Sequence, residues 1–340
     1  MNNISQISMR KKVYVTRDIL EPPILRLFDE YDVIMNTKSR PPSKAEILKN
    51  VRNVDGIVCM LSDKIDAEVI STAGAGLKVI SSYSTGFDHI DINEATKRGI
   101  YVCFTSDILA ETTADLAFAL ILSIARRIVE ADKFVRQKRW RIGWMPNLFL
   151  GSDINGLTLG IIGLGRIGSA VARRARGFNM KILYHNRSSR NIQLESEFKA
   201  QYVDIDTLLE QSDFVSIHTT LNKESFHLIN ELTLKKMKRT SYIINTARGS
   251  IINELDLIKA LKNNWIAGAA LDTFECEPLP SSNEMLKMKN IVVLPHIGSA
   301  TYQTRSKMSY ITVQNLLNVL NGKDPLYLVN PEVKNIRPLA

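Results

Sequence analysis

The sequence predicts an α/β fold of two doubly wound units, one inserted into the other. Three observations carry it. Short β-branched runs alternate with helix-like stretches. The alternation pauses at a long amphipathic segment and then starts again. A glycine-rich turn opens the second series at a strand-to-helix junction. Strand-then-helix repetition is the signature of parallel sheets with covered faces.

In the first series the strands are Val13–Thr16, Val33–Met35, Gly56–Met60, Val79–Ser82 and Tyr101–Phe104, with helix-like stretches at Ser43–Asn50 and Ala67–Ala73. The segment Ala110–Gln137 opens with acids and ends in Arg and Lys, which suits a helix aligned with its macrodipole. The second series begins with strand Leu157–Ile162, helix Ile167–Gly177 and strand Lys181–His185. It continues through Ile205–Gln211, Phe214–His218, Leu232–Met237, Ser241–Asn245, Glu254–Lys262, Ala267–Asp272 and Ile291–Pro295. A last helix, Tyr302–Asn321, returns to the first unit. The expected division is therefore 1–107, 108–302 and 303–340.

The composition fits this picture. The chain has 340 residues, 45% apolar and 23% charged, an ordinary globular make-up long enough for two cores. Its formal charge of +9 admits nucleic acid, acidic lipid or anionic small ligands as partners. The basic cluster from Arg126 to Arg141 comes with no nucleic-acid motif, so a solvated face is expected there. Cys59, Cys103 and Cys276 are too few and too scattered for a zinc site or a disulfide framework. A reducing cytoplasm is the expected setting. The first residues carry no apolar signal segment, and no run of about 18 apolar residues predicts a membrane span.

Gly163-Leu-Gly165-Arg-Ile-Gly168 follows an apolar strand and opens a helix, as a dinucleotide fingerprint requires. Gly163 permits the tight turn, Gly165 lets backbone approach a pyrophosphate, and Gly168 lets helix and strand pack closely. The N–H groups of the first helical turn, at Arg166, Ile167 and Gly168, are then offered to phosphate. The next strand ends Tyr184-His185-Asn186-Arg187-Ser188-Ser189-Arg190. A NAD site places Asp or Glu there to accept from the ribose 2′-OH. Asn186 stands in that place. A carboxylate would repel a 2′-phosphate, whereas Asn186, Arg187, Ser188 and Arg190 would bind one. NADP(H) is therefore expected over NAD(H). NAD(H) stays open if these residues are a plain solvated turn and Asn186 accepts the ribose hydroxyl.

Three polar residues follow strand ends of the second unit, where ligands bind in such sheets. They are Arg248 in Asn245-Thr-Ala-Arg-Gly249, Glu277 in Asp272-Thr-Phe-Glu-Cys-Glu-Pro278, and His296 in Leu294-Pro-His-Ile-Gly-Ser299. Reduction of a 2-oxo acid needs a cation for carboxylate and ketone oxygens, and Arg supplies a planar fork. It needs a proton donor on the new alkoxide, a task suited to His. A carboxylate beside that His would orient it.

With these motifs in hand, the chain resembles the D-isomer-specific 2-hydroxyacid dehydrogenases, nearest the glyoxylate/hydroxypyruvate reductase branch. The matching stretches are Ser81–Asp91 (SSYSTGFDHID), Gly163–Gly168, Asn245–Gly249, Asp272–Pro280 and Leu294–Thr301, in the family's order over about residues 10–325. The resemblance implies two Rossmann-like domains, with the NAD(P)-binding domain (108–302) inserted into a flavodoxin-like substrate-binding domain and a cleft between them. It gives Arg248, Glu277 and His296 the roles of substrate arginine, histidine-supporting glutamate and acid/base histidine. It puts the Thr85 and Gly86 amides on the substrate carboxylate, and Leu61 in the substrate pocket. Thr113, Thr219, Thr220, Thr246, Asp272, His296 and Gly298 line the cofactor by the same implication. Trp144 matches an aromatic that some reductases insert into a partner subunit's site, although it also fits an aromatic packed in a dimer arm. A homodimer through the cofactor domain is implied.

The expected function is NADPH-dependent reduction of glyoxylate or hydroxypyruvate to the 2-hydroxy acid. Two alternatives remain at this point: a NAD-linked dehydrogenase for another D-2-hydroxy acid, and a nucleotide-sensing corepressor-like protein on the same fold.

Overall fold

A computed structural model describes residues 10–187 and 190–339. The contacts divide the chain into two compact units, Met1–Leu109 with Thr301–Ala340, and Ala110–Ala300.

The first unit is built on five parallel strands: β1 (Lys12–Val15), β2 (Asp32–Met35), β3 (Gly56–Cys59), β4 (Val79–Ser82) and β5 (Tyr101–Cys103). Their order is β2-β1-β3-β4-β5, a flavodoxin-like winding. β3 and β4 are buried along their whole length, so they read in the sequence as unbroken runs rather than alternations. Two of its helices start at caps the sequence offers. Ser43 and Glu46 form a capping box ahead of Lys44–Asn50, and Asp66 caps Ala67–Ala73. The helix Tyr302–Leu320 packs on β3 and β4. Gly56 allows that approach, since a Cβ there would sit 2.9 Å from Leu316 Cδ1. The chain then runs along the open edge of β5. Cys103 bridges Leu328, Val329 N–H donates to Val102 O at 2.8 Å, and Asn330 Oδ1 accepts from Val102 N–H at 2.9 Å.

The second unit holds seven parallel strands: β6 (Thr158–Ile162), β7 (Lys181–His185), β8 (Ala200–Tyr202), β9 (Phe214–Ile217), β10 (Tyr242–Asn245), β11 (Gly268–Leu271) and β12 (Ile291–Val293). Their order, β12-β11-β10-β9-β6-β7-β8, is the doubly wound Rossmann arrangement with one added strand. Alternate residues feed two cores. Ile244, Ala270 and Val292 join one face, and Ile243, Ala269 and Leu271 the other. Each fully buried large side chain, such as Phe214 or Ile243, contributes ~1.5–3 kcal/mol.

The expected helix over 110–137 is two helices, Ala110–Ala125 and Ile128–Arg136. The break has a long-range cause. Ser152 N–H donates to Ala125 O at 2.9 Å, and Gly151 lies so close that a Cβ would meet that oxygen at 2.3 Å. The incoming chain thus takes a carbonyl the helix would need to continue. Arg127 turns into the left-handed region (φ 54°) and restarts the helix, held by Glu130. Within the basic cluster, Arg127 and Arg136 are each paired with an acid of the same helix. The helix Ile192–Phe198 and the edge strand β8 are additions to the expected elements. Among the described residues no helix is long and apolar enough to cross a membrane, and all three cysteines are free.

Candidate active site and cofactor cradle

The glycine turn of the second unit has the geometry its sequence demands. Gly163 adopts φ +97°, and a Cβ there would meet the backbone of His218 and Thr219 at 2.8 Å. A Cβ at Gly168 would lie 2.2 Å from Gly163 O, so this glycine lets the helix Arg166–Arg176 start directly against the turn. Gly165 is different. It faces open space, and no side chain caps the helix behind it. With no side-chain cap at Gly165 and no acid in the first turn, the start of the helix Arg166–Arg176 makes a cradle that fits a pyrophosphate.

Asn186 follows β7 and is tied to this turn. Its Oδ1 accepts from Leu164 N–H at 2.7 Å. That bond engages the acceptor side of the amide and leaves its NH₂ as the group for a ligand. The exposed Arg187 lies 3.5 Å from Glu224, a loose surface pair. Arg190 is committed elsewhere: its fork grips Glu195 at 3.0 and 2.7 Å. Arg190 and the Tyr184 hydroxyl hold the Glu195 carboxyl down at about 2. Ser188 lies outside the described residues. Thr219 and Thr220 follow β9, and the Thr219 backbone lies beside Gly163. Thr246, at the end of β10, has a buried hydroxyl with no hydrogen-bond partner, as suits a group that meets a ligand.

Arg248, Glu277 and His296 come together through three loops at the carboxyl ends of β10, β11 and β12. Asn245, fully buried, shapes the first loop: its Oδ1 accepts from Ala247 N–H at 3.0 Å and its Nδ2 donates to Arg248 O at 2.8 Å. Gly249 then lies against the second loop so tightly that a Cβ would fall 1.8 Å from Phe274 C. This close approach needs glycine, and it brings Arg248 near enough to act electrostatically on Glu277.

Glu277 joins the second loop to the third. Its Oε1 accepts from Phe274 N–H at 3.0 Å, and its Oε2 lies 2.7 Å from His296 Nδ1. Burial raises the Glu277 carboxyl, but His296, the Phe274 N–H and Arg248 outweigh it and leave the group below its ordinary range. An ionised carboxylate only accepts, so Nδ1 carries a proton and Nε2 is the atom left for exchange. The side chains of His296 and Glu277 keep 25% and 30% of their surface open, enough for a substrate to reach.

Asp272 clamps the loop behind His296. It is fully buried, and its two oxygens accept from Ile297 N–H at 2.8 Å and Gly298 N–H at 2.7 Å. Burial holds this carboxyl above its usual range, against the pull of those N–H groups and of His296. Thr113 Oγ1 donates to Gly298 O at 3.2 Å. Both residues, expected to line a cofactor, thus shape the His296 loop in this chain. His218, absent from the expected site, packs behind Gly163; burial pushes it down to about 3, and Ser216 Oγ sits 2.8 Å from its Nε2. Its only sequence signal is a polar residue ending an apolar strand.

In the first unit, Leu61 is part-exposed on a turn held by buried Asp63, which accepts from Met60 N–H at 2.8 Å and from Thr16 Oγ1. Thr85 and Gly86 lie on the loop after β4, and among the described residues their N–H groups make no hydrogen bond. Trp144, in the second unit, is 81% exposed.

Residues 118–298 match the family described as D-isomer specific 2-hydroxyacid dehydrogenase, NAD binding domain. The chain is 51% identical over 97% of its length to a glyoxylate reductase of Thermofilum pendens, covering 97% of that protein. It is 47% identical over 97% of its length to a glyoxylate reductase of Korarchaeum cryptofilum, covering 99% of it. Among solved structures it is similar to an NADPH-dependent glyoxylate/hydroxypyruvate reductase of Sinorhizobium meliloti, determined with NADP and malonate. That likeness has a TM-score of 0.82 at 30% identity and covers 95% of this chain and 98% of the other.

Proposed function

Because the chain belongs to the D-isomer-specific 2-hydroxyacid dehydrogenase family, and so is an NAD(P)-dependent oxidoreductase acting on glyoxylate-type 2-oxo acids, we propose that it reduces glyoxylate or hydroxypyruvate with NADPH, His296 giving the proton. The observation that carries this reading is the 2.7 Å contact between Glu277 and His296 beside Arg248.

The second unit holds the cofactor on the Gly163–Gly168 turn, with Thr246, Thr219 and Thr220 along the strand ends. When bound, the nicotinamide supplies the hydride. Arg248 takes the carboxylate and ketone oxygens of the substrate and steadies the charge that grows on the ketone oxygen. His296 donates its Nε2 proton to that oxygen as it becomes a hydroxyl. Glu277 keeps the imidazole turned and stabilises its charged form. The Thr85 and Gly86 amides add donors for the carboxylate, and Leu61 an apolar wall.

NADPH preference is supported by Asn186, whose remaining groups are donors, and by Arg187 next to it. The Sinorhizobium relative, described as NADPH-dependent, points the same way. The exposed apolar residues Trp140, Ile142, Trp144 and Leu150 support a homodimer formed through the second unit.

The test is a panel of small 2-oxo acids run with NADPH and with NADH. Turnover of glyoxylate or hydroxypyruvate, faster with NADPH, is the expected result. Faster turnover with NADH would overturn the cofactor assignment, and no turnover of either acid would overturn the substrate assignment.

A further inference from the structure

The loop proposed to receive the substrate carboxylate stands on a buried polar chain. Ser84 Oγ lies 2.5 Å from Gly86 O and 2.7 Å from Ser82 Oγ. Ser82 Oγ in turn lies 3.1 Å from His89 Nε2. Ser82 is fully buried and Ser84 nearly so, so water does not satisfy these hydroxyls and they depend on one another.

Proton counting gives the chain one direction. A carbonyl oxygen only accepts, so Ser84 donates to Gly86 O. Ser84 must then accept from Ser82, and Ser82 from His89. His89 therefore carries hydrogen on Nε2. The whole sequence reads His89 Nε2–H to Ser82, Ser82 to Ser84, and Ser84 to Gly86 O.

The far end of this chain bears on two amides. Thr105 N–H donates to Ser84 O at 3.0 Å, which fixes the Ser84–Thr85 peptide. In a trans peptide the N–H points opposite to the C=O, so Thr85 N–H is turned away from Thr105. The bond to Gly86 O fixes the Gly86–Phe87 peptide in the same way. The peptide carrying Gly86 N–H is thus held between two anchored neighbours. Preset donors of this kind avoid reorganisation when an anion arrives.

We propose that Ser82, Ser84 and His89 are positioning residues that preset the Thr85 and Gly86 amides for the carboxylate of a 2-oxo acid; this rests on the function proposed above. None of the three touches the reacting atoms. They act on substrate affinity and not on hydride transfer.

The experiment compares the full-length enzyme with Ser84→Ala, His89→Leu and His89→Gln. It records KM for glyoxylate, kcat, nicotinamide cofactor affinity and Tm. Ser84→Ala and His89→Leu are expected to raise KM about tenfold, the size of one lost hydrogen bond. Their kcat stays within about twofold and their cofactor affinity is unchanged. His89→Gln retains an N–H donor and recovers most of the affinity. An unmoved KM in folded Ser84→Ala overturns the proposal, and so does a fall in cofactor affinity as large as the rise in KM. If His89→Leu fails to fold, Ser84→Ala, the smaller change, decides alone. A wild-type enzyme inert toward glyoxylate and hydroxypyruvate would overturn the functional reading itself; active wild type with unmoved KM overturns only the positioning role.

Discussion

Glu277 divides its two oxygens between loops: Oε2 lies 2.7 Å from His296 Nδ1 while Oε1 accepts from Phe274 N–H. The carboxylate therefore fixes both the tautomer and the direction of the imidazole. His296→Ala should lower kcat by ~10²–10⁴-fold and change cofactor affinity little. Glu277→Gln should also lower kcat. The double variant should be no slower than His296→Ala, because the two residues act as one unit. Steady-state kinetics with cofactor titration checks this, and additive losses would separate their roles.

Gly249 is where the Arg248 loop meets the Glu277 loop. A methyl group there would fall 1.8 Å from Phe274 C and 2.3 Å from Glu275 N, both backbone atoms. Gly249→Ala should cost about 3 kcal/mol of stability and remove most activity. Urea unfolding and kcat measure the two effects. A stable, fully active variant would show that the loops separate more easily than their packing implies.

Asn186 gives its acceptor to Leu164 N–H and keeps its donors for a ligand. Asn186→Asp preserves that acceptor but sets a negative charge where a 2′-phosphate would lie. The ratio of NADPH to NADH efficiency should fall by roughly tenfold or more. Arg187→Ala should weaken NADPH more than NADH, since its pair with Glu224 is exposed and loose. Equal losses with both cofactors would remove these residues from 2′-phosphate recognition.

His218 gives the acid side of the stability profile a definite sign. Its folded value is near 3 against an ordinary 6.5. Between those values the unfolded chain binds a proton that the folded chain refuses, so stability falls as the pH drops from 6.5 toward 3. Above 6.5 the effect is absent. His218→Asn should flatten this acid limb, as seen in Tm between those limits. An unchanged slope would assign the acid loss to other groups.

Most of both sheets was legible in the sequence, because parallel strands buried on two faces appear as apolar runs. The glycine turn was legible too, since Gly163 and Gly168 each answer a steric demand that any side chain would violate. The break at Arg127 was not, because its cause is Ser152, far along the chain. β8 is not legible, being a three-residue edge strand with only Ala200 buried. Arg248, Glu277 and His296 could be named from their places after strand ends, and the pairing of Glu277 with His296 from its chemistry; the tight approach of the Gly249 and Phe274 loops could not, because it depends on loops folding together. The roles of Asn245 and Asp63 are hidden for a related reason: a buried amide or carboxylate that shapes a loop looks, in sequence, like any other polar residue.

The seam along β5 bears on the order of events during synthesis. β3 and β4 lean on the helix Tyr302–Leu320, and residues 328–330 close the edge of β5. The first unit thus begins to emerge from the ribosome long before its own last pieces exist. The second unit is continuous in sequence and has all its strands in hand by residue 293. It is able to fold while the opening hundred residues still wait, so in this chain the N-terminal unit is the one that finishes last, against the usual vectorial order.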